Sequence, residues 1–153
     1  MTTSSFSERV YTTGQLVGLS AQQLDDLFAA SPAGPIPTGN TNGKAIIAPG
    51  TPIAGILALV VRLFFWQGKV FDPEQGILRN KVSPIGFKSV VAKVYRGESW
   101  FDGKECIVID YSQTSKVAQF VRDEIRMVSP GVYLGVVFQG SKKTINFALS
   151  TTN

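Results

Sequence analysis

The sequence contains no histidine and only one cysteine, Cys106. The absence of histidine excludes nucleophilic catalysis of the Ser–His or Cys–His type. Only a metal site built from oxygen ligands remains open, and no calcium-loop spacing is present, so we predict no metal site and no cofactor. A single cysteine cannot form an intramolecular disulfide, and its place in an apolar run predicts a buried thiol. Both features favour a reducing, cytoplasmic location.

Charged residues are also scarce, at 17% of 153 residues, against roughly 25% in an average soluble domain. Few charges to cover the surface leave room for an apolar cavity or a partner interface. The net charge is +4, but the only adjacent basic pair is Lys142–Lys143, in a predicted turn. Because nucleic-acid binders concentrate basic residues on one face, we predict no nucleic-acid partner. The length fits one domain, residues 1–153.

Long hydrophobic runs are missing as well. The longest nearly apolar stretch, Ile53 to Trp66, is interrupted by Arg62 and is too short for an ordinary membrane-spanning helix. No apolar run follows the polar residues 1–9, so a signal peptide is not expected. Thr51 and Pro52 are suited to begin a helix over this stretch. A helix that is apolar nearly all round is buried on several sides, or it forms a membrane-surface or homodimer interface.

The chain before this stretch has two parts. Residues 1–14 are predicted to be a flexible lead-in, and Ser20 is a suitable N-cap for a helix over Ala21 to Ala30. Residues 31–50 contain four prolines and four glycines, which is typical of an extended loop that packs on the body of the domain. A short strand is predicted within that loop, at Ala45 to Ala48.

The second half alternates β-branched runs with turn residues. This pattern predicts antiparallel strands joined by hairpins. One further helix is predicted between a cap at Thr114 or Ser115 and Pro130–Gly131, over Ser115 to Val128. The fold predicted is α+β: a strongly curved antiparallel sheet or small β-barrel, with N-terminal helices and one helix near the C-terminus. The predicted strands are 70–71, 77–82, 88–96, 105–112, 132–139 and 144–150.

The predicted helix near the C-terminus carries the sharpest chemical signal. On a helical wheel Glu124 lies within the apolar stripe, between Val121 and Val128, whereas Asp123 faces water. A carboxylate aimed at a core must find a partner or become protonated. Glu124 is therefore interpreted as one partner of a buried salt bridge to Arg62, as a ligand-binding or catalytic acid or base, or as a solvated residue near the helix end.

The strand from Glu105 to Ser112 presents two candidate faces, because neighbouring residues on a strand point to opposite sides. If the face of Cys106 looks inward, Asp110 reaches the cavity. If the other face looks inward, Tyr111 offers its hydroxyl there. Asp110 also suits a cap on the turn that follows, through Thr114 or Ser115. Other candidate pocket residues are large amphipathic or amide side chains, and each also suits core packing or an outward face: Trp66, Tyr95, Trp100, Tyr133 and Asn80.

The arrangement over about Gly68 to Leu149 resembles the small lipocalin-like (calycin) β-barrels. The resemblance rests on the helical lead-in, the hairpin-connected strands, the helix near the C-terminus and the final strand pair. The Gly-x-Trp signature of true lipocalins is absent, since Ser99 precedes Trp100 and Gln67 follows Trp66. The resemblance implies a cavity for an apolar small molecule.

Three functions follow from these patterns. The first is binding of a hydrophobic small molecule, such as a lipid, terpenoid or polyketide, in a barrel or cupped-sheet cavity, where Glu124, Arg62, Asp110 and one or two tyrosines would orient it. The second is a cofactor-independent isomerase or cyclase in the same cavity, with Glu124 as general acid or base and a tyrosine as hydrogen-bond donor. The third is a protein-interaction module that docks through the apolar helix 53–66.

Overall fold

A closed antiparallel barrel of eight strands forms the body of the molecule. The structure is a computed structural model that describes residues 10–51, 66–82, 91–114 and 119–151. Each strand pairs with its neighbours in sequence, and the first strand closes the barrel by pairing with the last. The predicted small antiparallel barrel is thereby confirmed. The strands are β1 Gly39–Ile46, β2 Trp66–Asp72, β3 Ile77–Val82, β4 Val91–Glu98, β5 Glu105–Asp110, β6 Val121–Ser129, β7 Val132–Gln139 and β8 Lys142–Thr151.

Two short helices precede the barrel, α1 (Thr13–Val17) and α2 (Ala21–Ala30). Helix α2 has the predicted bounds and the predicted N-cap. Ser20 Oγ accepts from the backbone N–H of Gln23 at 3.1 Å, and the Gln23 side chain accepts from the backbone N–H of Ser20 at 2.9 Å. This reciprocal capping box satisfies two of the N–H groups that a helix start leaves without partners. Helix α1, which begins inside the predicted lead-in, has the same kind of cap at Thr12.

The helices cover part of the outer wall of the barrel. Helix α2 buries Leu24, Leu27 and Phe28, and α1 buries Leu16. These residues form one apolar cluster with outward-facing side chains of β1, β6, β7 and β8. The barrel therefore has two hydrophobic cores, one inside the sheet and one between the sheet and the helices. The strand residues of the outer core are Ile46, Val128, Leu134, Val136, Phe138 and Ala148.

Side chains from alternate strand positions pack together inside the barrel. Gly135 on β7 faces Phe147 on β8, its directly paired neighbour, and a Cβ at Gly135 would lie 2.2 Å from the Phe147 ring. The missing side chain thus makes room for an aromatic ring inside a narrow barrel. The apolar interior residues include Phe71, Leu78, Ala92, Val94, Ile107, Ile109, Ile125, Val137, Ile145 and Leu149.

The proline-rich segment 32–38 lies across one end of the barrel. Ala33 and Ile36 pack against the interior cluster. The Tyr133 hydroxyl donates to the carbonyl of Pro35 at 2.6 Å, and the backbone N–H of Met127 donates to the carbonyl of Pro32 at 3.0 Å. The segment supplies hydrogen-bond acceptors without requiring a strand of its own, which suits a chain rich in proline.

Arg126 on β6 binds both α2 and the β4–β5 turn on the outer wall of the barrel. It is 1% exposed, and its guanidinium donates to both carboxylate oxygens of Asp102 at 2.7 Å and to the carbonyl of Phe28 at 2.9 Å. It also stacks on the Phe28 ring. These hydrogen bonds hold the pKa of Asp102 at about 2, below its ordinary value, and hydrogen bonding to the charged form is the main cause.

The predicted helix over Ser115 to Val128 is wrong. Residues 121–129 form β6, which pairs with β5 and β7 along its length. The side chains follow a period of two: Val121, Asp123 and Ile125 face the interior, and Glu124 faces the outer wall. Asp123 was expected in water but is 4% exposed. The helical interpretation failed because Pro130–Gly131, interpreted as the end of a helix, is the turn of a hairpin that pairs β6 with β7.

The remaining secondary-structure predictions are partly confirmed and partly corrected. The hairpin over 70–82, the strand that begins at Glu105 and the final hairpin are confirmed. The strand expected at Ala45 to Ala48 is instead the eight-residue β1, which pairs with β8 despite its two glycines. The predicted apolar helix and dimer interface over residues 53–66 lie almost wholly outside the described residues. No helix among the described residues is long and apolar enough to cross a membrane.

Replacing Gly135 by Ala is expected to destabilise the barrel by about 1–3 kcal/mol, because the added methyl group collides with the closely packed Phe147 ring. Urea unfolding measures the loss. Gly14→Ala is the control, because its Cβ would meet Thr12 Oγ1 at an ordinary 3.8 Å. Equal stability of Gly135→Ala and the parent would contradict the close packing described above.

Candidate functional site

Four polar side chains meet inside the barrel: Lys69, Asn80, Tyr111 and Asp123, each at most 8% exposed. The Lys69 ammonium donates to Asn80 Oδ1 at 2.7 Å and to the Tyr111 hydroxyl oxygen at 2.9 Å. It also lies 3.2 Å from Asp123 Oδ2. The Asn80 amide donates to the Tyr111 oxygen at 2.8 Å, and the Tyr111 hydroxyl faces Asp123 Oδ2 at 3.4 Å. We call these four residues the interior cluster.

A bulge at the start of β2 turns Lys69 into the barrel. The register between β2 and β3 shifts between Trp66 and Gly68. Gly68 has φ +137°, and a Cβ there would lie 2.3 Å from the Thr41 carbonyl, so the position requires glycine. Thr41 Oγ1 then donates to the Lys69 carbonyl at 2.6 Å and accepts from its N–H at 3.1 Å. Beyond the bulge, Lys69 and Asn80 are directly paired across β2 and β3.

The ion pair joins opposite walls of the barrel. Lys69 is on β2 and Asp123 on β6, which are four strands apart in a closed barrel of eight. Only a long side chain can cover this span. The ammonium also lies 5.3 Å from the centre of the Phe147 ring, within the range of a cation–π contact.

Burial and the neighbouring charges have opposite effects on the pKa values of these groups. Burial tends to lower the pKa of Lys69, but the neighbouring Tyr111 and Asp123 outweigh it, and the pKa is raised. Burial raises the pKa of Asp123, and the Lys69 ammonium opposes this rise. Burial likewise raises the pKa of Tyr111, with Lys69 opposing. At neutral pH the cluster therefore contains a protonated lysine and a protonated phenol, a charge state suited to donating hydrogen bonds.

The interior cluster lies near the end of the barrel that carries the long connections. The chain leaves this end after β1, β3 and β5 and returns at the starts of β2, β4 and β6. At the opposite end, short turns join β2 to β3, β4 to β5 and β6 to β7. Binding residues are more often found near long connections than near tight turns. The position of the cluster along the barrel therefore marks this end as the candidate site.

A small pocket lies at the opposite end, beside the β2–β3 turn. Its volume is about 50 Å³, and its lining includes Ile36, Phe71 and Val94. Ligand cavities in proteins usually measure about 300–1,000 Å³. This pocket therefore holds one or two water-sized molecules and not a lipid or terpenoid.

Glu124 lies on the outer wall and is fully buried there. Its carboxylate accepts from the Ser99 hydroxyl at 2.6 Å and from the backbone N–H of Trp100 at 2.7 Å. Arg122 donates to it twice, at 3.1 and 3.0 Å. The buried carboxylate thus has a basic partner on its own strand, and Arg62 lies outside the described residues. This arrangement ties the β4–β5 turn to β6.

Asp110 and Tyr95 also face outward, on β5 and β4. The Tyr95 hydroxyl donates to Asp110 Oδ2 at 2.9 Å, and the backbone N–H of Ser112 donates to Oδ1 at 2.9 Å. The face of the strand that looks inward is the one that carries Ile107, Ile109 and, just after the strand, Tyr111.

The remaining candidate residues are dispersed. Trp100 lies on the β4–β5 turn, is 54% exposed and stacks against Arg122 and Phe138. Tyr133 is inside the barrel, at the end closed by Pro35. Trp66 begins β2, and its side chain is outside the described part. Of the predicted site residues that the structure describes, Tyr111 and Asn80 meet inside the barrel, whereas Tyr95 contacts Asp110 and Trp100 contacts Glu124 on the outside.

Lys69 and Asp123 were missed by the sequence analysis. For Asp123 a signal existed: read with a period of two, Val121, Asp123 and Ile125 share one face, and Asp123 is its lone charge. For Lys69 no comparable signal existed, because the bulge at Gly68 decides which way it points. Among the described residues, no three His, Cys, Asp or Glu side chains form a group that could hold a metal ion.

Comparisons with known proteins establish the architecture alone. No protein-family model matches the chain, and no curated protein matches it. One solved structure, described as a protein from Thermomonospora curvata, is similar with a TM-score of 0.60 and 15% identity. The match covers 88% of this chain and 89% of that one. At this identity the similarity shows a shared fold, and the barrel is consistent with a lipocalin-like architecture without identifying a family.

Removing one member of the ion pair is expected to cost more than removing both. Lys69→Met or Asp123→Leu leaves an uncompensated buried charge and should lower the free energy of unfolding by about 3–5 kcal/mol. The double variant should lose less than either single variant, because a buried pair replaced by apolar groups of similar volume is often tolerated. Urea unfolding of the three variants tests this, and additive losses would contradict a direct pair.

The Cys106 thiol is expected to be inert in the folded protein. It is 0% exposed, and burial, aided by the charge of Glu124, raises its pKa to about 12. At pH 8 the thiol is protonated and inaccessible, so the thiolate that reacts is nearly absent. A chromogenic disulfide reagent should therefore modify the native protein far more slowly than the urea-unfolded control. Immediate reaction of the native protein would contradict this burial.

Proposed function

We propose that the protein binds a hydrophobic small molecule, such as a lipid, terpenoid or polyketide, at the barrel end that holds the interior cluster. The observation that carries the proposal is the buried ion pair between Lys69 and Asp123 across an otherwise apolar interior. Ligand sites commonly combine apolar walls with a few convergent polar groups that orient the ligand. Lys69, Asn80, Tyr111 and Asp123 would supply those groups.

The energetics of burial support this proposal. Placing two charges inside a small barrel incurs a desolvation penalty of several kcal/mol per ion, and apolar residues of similar volume often serve stability as well or better. The neighbouring interior positions on the same strands, Phe71 and Ile125, are apolar and well packed. Since apolar side chains of similar volume would avoid this penalty, a ligand explains a buried polar cluster more readily than stability does.

A second candidate is a cofactor-independent isomerase or cyclase at the same cluster. The observation that favours it is the Tyr111 oxygen, which accepts hydrogen bonds from both Lys69 and Asn80 and faces Asp123 at 3.4 Å. A protonated phenol beside a carboxylate can donate and accept a proton within one site. Glu124 and Asp110 face outward and are therefore not part of this candidate active site.

Native mass spectrometry of the purified protein, looking for a co-purified small molecule, tests binding. Tyr111→Phe removes a hydroxyl from the interior cluster and should lower the bound fraction several-fold. Tyr133→Phe is the matched control, because its hydroxyl binds Pro35 at the opposite end of the barrel. If Tyr133→Phe lowers the bound fraction and Tyr111→Phe does not, the proposed location is wrong.

The enzyme candidate predicts a different outcome for the same variant. Tyr111→Phe should then abolish turnover of the bound molecule while leaving its binding intact, because the hydroxyl acts on the reacting atoms. Recovering the molecule chemically unchanged after incubation with the parent protein would exclude this candidate. If no small molecule is retained by the parent and no apolar probe raises its melting temperature, both candidates fail.

A further inference from the structure

The two carboxylate oxygens of Asp123 have different surroundings. Oδ2 lies 3.2 Å from the Lys69 ammonium and 3.4 Å from the Tyr111 hydroxyl oxygen. No described residue donates a hydrogen bond to Oδ1. The side chain is only 6% exposed. Buried polar atoms almost always have a hydrogen-bond partner, so an oxygen to which no described residue donates is a candidate acceptor for a ligand donor.

The Lys69 ammonium, in contrast to Oδ1 of Asp123, has several hydrogen-bond partners among the described residues. Three oxygens surround it within 3.2 Å: those of Asn80, Tyr111 and Asp123. An ammonium has three N–H donors, and the described residues alone already offer an oxygen acceptor for each of them. A lysine inside an apolar barrel would ordinarily suggest a ligand carboxylate, but this one is already surrounded by protein oxygens.

The charges of the interior cluster also disfavour a ligand carboxylate. Lys69 and Asp123 are groups of opposite charge, and the ammonium at 3.2 Å opposes the rise that burial causes in the pKa of Asp123. A ligand carboxylate would add an uncompensated negative charge beside Asp123, in a region where desolvation already disfavours charge. A neutral ligand group with an O–H or N–H adds no charge and supplies a donor to Oδ1, to which no described residue donates.

We infer that the molecule bound in the barrel is an apolar alcohol, or another neutral hydrogen-bond donor, whose O–H or N–H is directed at Oδ1 of Asp123. This inference rests on the proposed function and narrows its ligand class. Asp123 selects the ligand, and Lys69 and Tyr111 are positioning residues that hold the carboxylate in place. A hydrogen bond to a charged acceptor gives stronger discrimination than one between neutral groups.

Three probes with one common chain test the inference: decan-1-ol, its methyl ether and decanoate, each titrated calorimetrically into the intact protein at neutral pH. We expect decan-1-ol to bind at least about tenfold more tightly than the ether, which has no donor, and decanoate to bind more weakly than the alcohol. Equal affinity for the alcohol and the ether, or a preference for decanoate, would overturn the inference while leaving the proposed binding function intact. No binding of any probe would count against both.

A paired variant assigns the selectivity to Asp123. Lys69→Met with Asp123→Leu removes both charges together, which avoids stranding one of them inside the barrel. It should bind the alcohol and the ether equally, with affinity for the ether retained. The matched control is Lys143→Met with Asp25→Leu, which removes a Lys–Asp pair from the outside of the molecule. If the interior variant keeps the preference for the alcohol, the inference is wrong.

Discussion

A lysine and an aspartate on opposite walls of the barrel meet in its interior, and the organisation of the candidate site depends on this contact. Each charge alone would be strongly disfavoured there, because desolvation costs several kcal/mol. Together with Asn80 and Tyr111 they form a network in which the Lys69 ammonium is surrounded by oxygens at 2.7, 2.9 and 3.2 Å. The pair connects β2 to β6 directly, although these strands are not neighbours in the sheet.

The side chains of strand β6 alternate between the interior of the barrel and its outer wall. Its inward residue Asp123 belongs to the interior cluster, whereas Glu124 and Arg126 face outward and hold the β4–β5 turn and helix α2 in place. Two adjacent carboxylates are thus buried in different environments and bind different partners. The alternation of strand residues produces this separation, since neighbours in sequence lie on opposite faces.

The two ends of the barrel differ in construction. One end is closed by the proline-rich segment 32–38 and by short turns, and the hydroxyl of Tyr133 contributes to that closure. The interior cluster lies toward the other end, where the longer connections attach. The interior cluster and the closed end, where Tyr133 donates to Pro35, therefore occupy separate parts of the barrel.

The sequence by itself determined the local features of this protein. Ser20 and Gln23 specify the start of α2, and the turn residues between β2 and β3 and between β7 and β8 specify their hairpins, because caps and turns depend on residues a few positions apart. The identity of β6 and the inward direction of Lys69 were decided only by the tertiary structure. The first depends on pairing with β5 and β7, and the second on the bulge that Gly68 forms against Thr41. The physical reason is that pairing with other strands, and not the segment's own residue pattern, selects a period of two over one of 3.6 and thereby decides which carboxylate enters the barrel.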